Sequence, residues 1–188
     1  MIIGIDIDDT LTETFDHMIP CVAEYFGVSA DELRQRNISY NNLPEEWKEE
    51  ELKICKKYCD SIIEDTPFKT DAAWAMQKLH EQGHKIVIIT ARTTAFYSDP
   101  YKTTIKELAN GGIVYDKLIC TLDKASACTA EKVSLFVDDT IANCEAVSQV
   151  GIPVLVMNSK VNKSMETSFD RVSNWSEVLE KIADGEKK

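Results

Sequence analysis

The chain has 188 residues, 44% of them hydrophobic and 28% charged, with a formal charge of −11. That length buries a sizeable core and indicates one domain with room for an insertion. The acidic balance argues against a nucleic-acid polymer or an anionic membrane as partner, and no apolar run approaches membrane-spanning length.

The N-terminus lacks a basic n-region, and its apolar segment is too short for a signal peptide. The six cysteines (Cys21, Cys55, Cys59, Cys120, Cys128, Cys144) follow neither a disulfide framework nor a zinc-ribbon spacing. They read as reduced thiols of a cytoplasmic protein.

The chain opens on Ile2–Ile5, an apolar, β-branched run that reads as a strand buried on both faces of a parallel sheet. It runs into Asp6-Ile7-Asp8-Asp9-Thr10. In extended backbone Asp6 and Asp8 point to one side. Three carboxylates within four residues repel one another, and a cation would join them. The plain alternative is an acidic turn after a strand.

Helical periodicity then covers Asp16–Phe26 and stops at Gly27. Ser29-Ala30-Asp31-Glu32 is a capping-box pattern that opens a short helix to about Arg36. Asn37–Pro44 reads as a loop, and Glu45–Ile63 as one long amphipathic helix broken by Thr66-Pro67. A further helix, Thr70–Gln82, closes at Gly83.

From there strands and helices alternate: strand Lys85–Thr90, loop Ala91–Asp99, helix Pro100–Ala109, strand Leu118–Cys120 and a turn or two of helix over Lys124–Ala130. Strand Ser134–Val137, helix Ile141–Val150, strand Pro153–Met157 and a last helix from Ser173-Asn174 to about Ile182 follow, with a frayed tail. The rhythm predicts an α/β fold: a doubly wound, parallel, five-stranded Rossmann-like sheet. The helical stretch Asp16–Pro67 interrupts it, in position to cover the carboxyl edge.

Polar residues end several strands. Thr90-Ala91-Arg92 follows the second, Lys124 the third, and Asp138-Asp139 the fourth. Acids, a hydroxyl and a lysine at one sheet edge suit a phosphate and Mg²⁺, which takes carboxylate oxygens together with substrate phosphate and water. Each residue alone also has a purely structural reading.

In that order the set resembles the haloacid dehalogenase-like phosphohydrolases, whose D-x-D-x-T/V, Ser/Thr, Lys and paired-acid motifs are matched by Asp6–Thr10, Thr90, Lys124 and Asp138-Asp139. A closer likeness is to the 5′(3′)-deoxyribonucleotidases and related nucleotidases, carried by the segment TLDKASACTAEKVSLFVDD, by Asp99-Pro100-Tyr101-Lys102 and by Val172–Trp175. Asp9 stands where several members have Gly, and Arg92 where they have Pro. The resemblance implies a core of residues 1–15 and 68–188 with residues 16–67 as a helical C1 cap.

It also implies a Mg²⁺-dependent phosphomonoesterase. Asp6 would attack phosphorus and form an aspartyl phosphate, and Asp8 would act as acid, then base. Asp6, Asp8 (through its carbonyl) and one of Asp138 and Asp139 would hold the metal, which of the two being open. Thr90, Ala91, Arg92 and Lys124 would hold the phosphate. Phe15, Phe26, Tyr40, Trp47 and Tyr58 either stack on a base, Phe15 and Trp47 foremost, or pack the helices together. His17, His80 and His84 read as surface or structural groups.

Rival readings are a receiver-like phospho-acceptor, a catalytically silent binding module, a sugar-phosphate phosphatase and a polynucleotide 3′-phosphatase. The D-x-D form and the capping segment argue against a receiver, and the chain's acidity against a polymer substrate. The expected partner is a small phosphomonoester, with no membrane; a homodimer is left open.

Overall fold

The computed structural model describes residues 1–186. Its centre is one parallel sheet: β1 (Ile2–Ile5), β2 (Lys85–Thr90), β3 (Lys117–Cys120), β4 (Leu135–Asp138), β5 (Val154–Met157) and β6 (Arg171–Val172). The strands lie in the order β3-β2-β1-β4-β5-β6, every pair parallel. The expected five strands are therefore joined by a sixth. It has two residues and no apolar run, so only its pairing with Val156 and Met157 identifies it.

Alternation along the strands divides the core between the two faces. Ile3, Ile5 and Ile88 pack with Met76, Leu79, Trp175 and Val178, on α4 (Ala72–Glu81) and α8 (Trp175–Glu186). Val87, Ile89 and Phe136 pack on the other face with Cys128, Cys144 and Val147. These belong to α6 (Lys124–Ala130) and α7 (Ile141–Gln149), while α5 (Pro100–Asn110) lies against β3. At Gly4 an added Cβ would stand 2.9 Å from the Phe136 ring, so this register of β1 on β4 needs glycine.

Between β1 and α4 lies a helical insertion of α1 (Thr14–Phe26), α2 (Ala30–Arg36), a 3₁₀ segment Glu45–Glu50 and α3 (Glu51–Ile62). It has its own apolar cluster, including Phe15, Met18, Ile19, Leu33, Ile54 and Ile62. The single helix expected over Glu45–Ile63 is thus two segments. EEWKEE buries none of its residues, and nothing there favours α over the tighter 3₁₀ turn that often begins a helix. The last helix extends beyond the expected Ile182 to Glu186. Of the tail expected to fray, the final two residues lie outside those described. Among the described residues no helix is long and apolar enough to cross a membrane.

The two ends of the chain meet under the acidic loop. Thr10, Leu11 and Thr12 fold back so that their amides share the Ile7 carbonyl. The indole of Trp175, fully buried, donates to the Thr10 carbonyl at 3.0 Å. Trp175→Phe leaves that carbonyl without its donor, and urea unfolding should show a loss of about 1–3 kcal/mol beyond that of the smaller ring. Unchanged stability would mean that the bond contributes nothing.

Candidate active site

The sheet order reverses direction at β1 and β4, where open α/β folds form a crevice beyond the carboxyl ends of the strands. Asp6 follows β1, and its amide donates to Val137 O on β4 at 3.0 Å. Lys124 opens α6, whose preceding Asp123 caps the helix through the Ser126 amide. The ammonium of Lys124 bridges the two strand ends, 2.5 Å from Asp6 Oδ1 and 2.7 Å from Asp138 Oδ2. All three side chains are buried. Burial alone would lower the Lys124 pKa, but Asp138 and Asp6 outweigh it and hold the amine above its ordinary value.

Asp138 also accepts from the Thr140 amide at 2.7 Å and from the Asn143 side chain. Asp139 lines the cleft, and its carboxylate accepts from the Thr140 hydroxyl at 3.3 Å and from the Ser159 side chain. One oxygen from each of Asp6, Asp138 and Asp139 lies within 4.8 Å of the others. Burial, then neighbouring carboxylates, push Asp6 and Asp139 well above the usual carboxylate range, although Lys124 opposes this at Asp6. A buried, oxygen-only donor set with more negative charge than one lysine balances suits a hard divalent cation.

Asp8 lies in a different environment. Arg92 grips its carboxylate with two hydrogen bonds, Nε to Oδ2 at 3.0 Å and Nη2 to Oδ1 at 2.8 Å. The Thr14 hydroxyl adds a third at 2.8 Å. Burial would raise the carboxyl; the guanidinium beside it holds it below the usual range instead. The far edge of Arg92 meets Glu107 of α5, Nη2 lying 3.2 Å from Oε1 and Nη1 bonded to Oε2. Asp9, at φ +59°, turns away: Oδ1 caps α1 through the Phe15 amide at 2.9 Å, and Oδ2 is buried without a partner. Burial pushes its carboxyl up to about 7.

A cleft of about 190 Å³ opens above Asp6, Asp8, Lys124 and Asp139. Ala91 and Arg92 form part of its floor, whereas Thr90 is fully buried at the end of β2 and is not among the lining residues. Opposite stand Tyr40, Glu51, Cys55 and Cys59 from the insertion, with Phe96 and Tyr97 from the loop after β2.

Phe15 and Trp47, expected against the substrate, are elsewhere. Phe15 is buried in the insertion's own core, and Trp47 stacks on Phe26 with ring centroids 4.0 Å apart. Tyr58 bonds Glu24 at 2.9 Å. Of the five aromatics singled out in the sequence, only Tyr40 lines the cleft. Among the described residues no histidine lines it either; His84 Nδ1 meets the N-terminal ammonium at 3.2 Å.

The sequence reading missed Glu107, Tyr97 and Asn143. Glu107 had a signal, since it shares a helix face with the buried Thr104 and Leu108, where a carboxylate needs a partner.

The sheet and the inserted helices have the fold of the haloacid dehalogenase-like hydrolases, and the family match makes the chain a phosphatase-type hydrolase. Residues 1–186 match the family model described as 5′ nucleotidase, deoxy (pyrimidine), cytosolic type C protein, and the chain belongs to that family. No curated protein sequence matches it.

Solved structures share the fold at low identity. A haloacid dehalogenase-like hydrolase from Streptococcus pneumoniae is 14% identical, covering 96% of this chain and 97% of that one, with a TM-score of 0.62. An Ehrlichia chaffeensis hydrolase of the same superfamily is 12% identical, covering 97% and 95%, also with a TM-score of 0.62. The D,D-heptose 1,7-bisphosphate phosphatase of B. bronchiseptica, solved with magnesium and phosphate, is 12% identical, covers 98% of each chain and has a TM-score of 0.56.

The buried acids give the metal-free protein a defined pH dependence. Asp6, Asp9 and Asp139 have folded pKa values above the roughly 3.9 of an unfolded Asp. Between those values the folded state holds more protons, so its stability falls as pH rises. Asp8 works oppositely: its contribution is complete above about 3.9 and is lost only at lower pH. Thermal melts in chelator should therefore show Tm falling from about pH 5 to 7.5, with Asp9→Asn flattening part of the slope. A divalent cation should restore Tm at the upper end. A Tm that rises over this range would refute the charge assignment.

Proposed function

We propose that the protein is a Mg²⁺-dependent phosphomonoesterase for nucleoside monophosphates, acting through an aspartyl phosphate on Asp6. One observation carries this reading: at the end of β1, Asp6 faces the cleft with its charge held by Lys124, and Asp8 follows two residues on in a separate environment. In the metal-free site the shifts run against these roles, Asp6 being raised and Asp8 lowered; a divalent cation bound at Asp6 would return its carboxyl to the anion that attacks.

Asp6 attacks phosphorus in line; Asp8 gives a proton to the leaving oxygen and later takes one from the hydrolytic water. Lys124 offsets the repulsion between carboxylate and phosphate. Asp138, filled by Lys124, Thr140 and Asn143, orients the lysine. Asp139, which lines the cleft, would hold the metal with Asp6 and the Asp8 carbonyl. Mg²⁺ there would neutralise phosphate charge, as befits the magnesium and phosphate in the B. bronchiseptica structure. Ala91, which lines the cleft, would frame the phosphate, whereas Thr90 lies buried behind it. The six free thiols are in keeping with a cytoplasmic protein.

The family match favours a nucleotide, and the Tyr40, Phe96 and Tyr97 wall offers flat surfaces to a base. The cleft's roughly 190 Å³ favours a second reading, a smaller sugar phosphate, because most pockets for larger ligands exceed about 300 Å³. On the nucleotide reading the insertion, tied to the core by Tyr97 in its apolar cluster and by surface links such as Lys160–Asp16, acts as a cap that opens to admit substrate and closes to exclude water.

Phosphate release from nucleoside monophosphates, hexose phosphates and p-nitrophenyl phosphate, with and without EDTA, separates these readings. Asp6→Asn should abolish turnover, and Asp8→Asn should lower it by about 10²–10⁴-fold. Full activity in chelator sinks the metal assignment, and activity within tenfold of the parent removes Asp6 as nucleophile. Tyr40→Ala should raise KM for nucleotides by about five- to a hundredfold, the scale of one stacking contact, and leave the small phosphoester unaffected. Trp47→Ala should lower stability only.

A further inference from the structure

We infer that Arg92 and Glu107 form a buried clamp that positions the Asp8 carboxylate, with Glu107 keeping Arg92 off the substrate phosphate. The inference rests on the phosphatase reading, in which Asp8 is the acid–base.

Arg92 extends the loop after β2, beside the phosphate site, where an unpaired guanidinium would bind phosphate strongly. It is not unpaired. Of its five N–H donors, four are engaged, two by Asp8 and two by Glu107. Arg92 and Glu107 are each only 2% exposed. With Asp8 they form a trio carrying one net negative charge, which offers little attraction to a phosphate dianion. The planar fork has a carboxylate on each of two edges, so it turns only if both carboxylates move. The Tyr97 ring, 5.7 Å from Arg92 Cζ, limits movement from another side.

Glu107 belongs to none of the strand-end motifs. It comes from α5, fifteen positions after Arg92, and that helix is fixed at its start by Pro100 and by the Asp99 cap on the Lys102 amide at 3.1 Å. A rigid helix thus sets the guanidinium, and the guanidinium sets Asp8. Without Glu107, one edge of Arg92 loses its partner, and the guanidinium can swing toward the cleft that it helps to line.

The effect should fall on kcat rather than KM, because substrate still meets Asp6, Lys124 and the metal site. A displacement of about 1 Å in a reacting group costs on the order of a hundredfold.

The test uses the full chain with Mg²⁺ and p-nitrophenyl phosphate, so that recognition of the leaving group does not enter. Glu107→Gln and Arg92→Lys should each lower kcat by about ten- to a hundredfold, with KM within about twofold. The paired change Arg92→Met with Glu107→Leu replaces a buried ion pair by apolar groups of similar volume, an exchange that is often neutral for stability. Because Asp8 loses its guanidinium as well, the paired variant should melt below the parent, and while folded at the assay temperature it should still show the loss in kcat. In an Asp8→Asn background, Arg92→Lys should change kcat no further, because the clamp acts only through Asp8.

Parental kcat in the paired variant, or in Glu107→Gln should the pair fail to fold, would reduce the clamp to packing and overturn the inference. A raised KM with unchanged kcat in Arg92→Lys would make Arg92 a phosphate ligand and overturn it too. If the parent hydrolyses no phosphoester, the phosphatase reading and the inference fall together; if the parent turns over and the variants match it, only the inference falls.

Discussion

The ammonium of Lys124, buried between Asp6 and Asp138, is the contact on which the site depends. Two strands that are neighbours only at the point of reversal each end in a carboxylate, and the sheet brings those charges together without water to screen them. One cation drawn in from α6 makes the approach tolerable. Its reach is set locally: Asp123 caps the helix, and the next residue turns inward. Removing one partner from such a cluster leaves the others buried and unbalanced, which costs far more than the bond contributes when intact.

Around this pair the environments diverge. Asp6 has a lysine and other acids as neighbours and is pushed up by burial. Asp8 has an arginine and a hydroxyl and is held down. The residues share a motif and lie two positions apart, yet the strand end directs one to the sheet edge and the next turn directs the other toward α5 and α1. Chemistry that needs two unlike carboxylates gets them from backbone direction.

What the sequence disclosed follows from the same physics. Buried parallel strands are continuous apolar runs, so the acids, Thr90 and Lys124 at their ends were conspicuous, and they proved to share one sheet edge. β6 stayed hidden because two residues carry no period, and its strand character comes from the neighbouring β5. Trp47 misled for a different reason: an aromatic on an amphipathic segment looks the same whether it faces a ligand or, as here, Phe26. The wall that does face the cleft draws Phe96 and Tyr97 from a loop, where no periodicity indicates direction.

The bond from Trp175 to the Thr10 carbonyl spans 165 positions, and it has a consequence for how the molecule is made. During synthesis the first strand and its acids leave the ribosome long before β4, Lys124 or α8 exist. For most of translation the nascent chain presents an acidic strand end with no cation beside it and no indole beneath its loop. Contacts of such long sequence separation form late and slowly. The acidic loop, made before these partners, is among the last parts to take its shape.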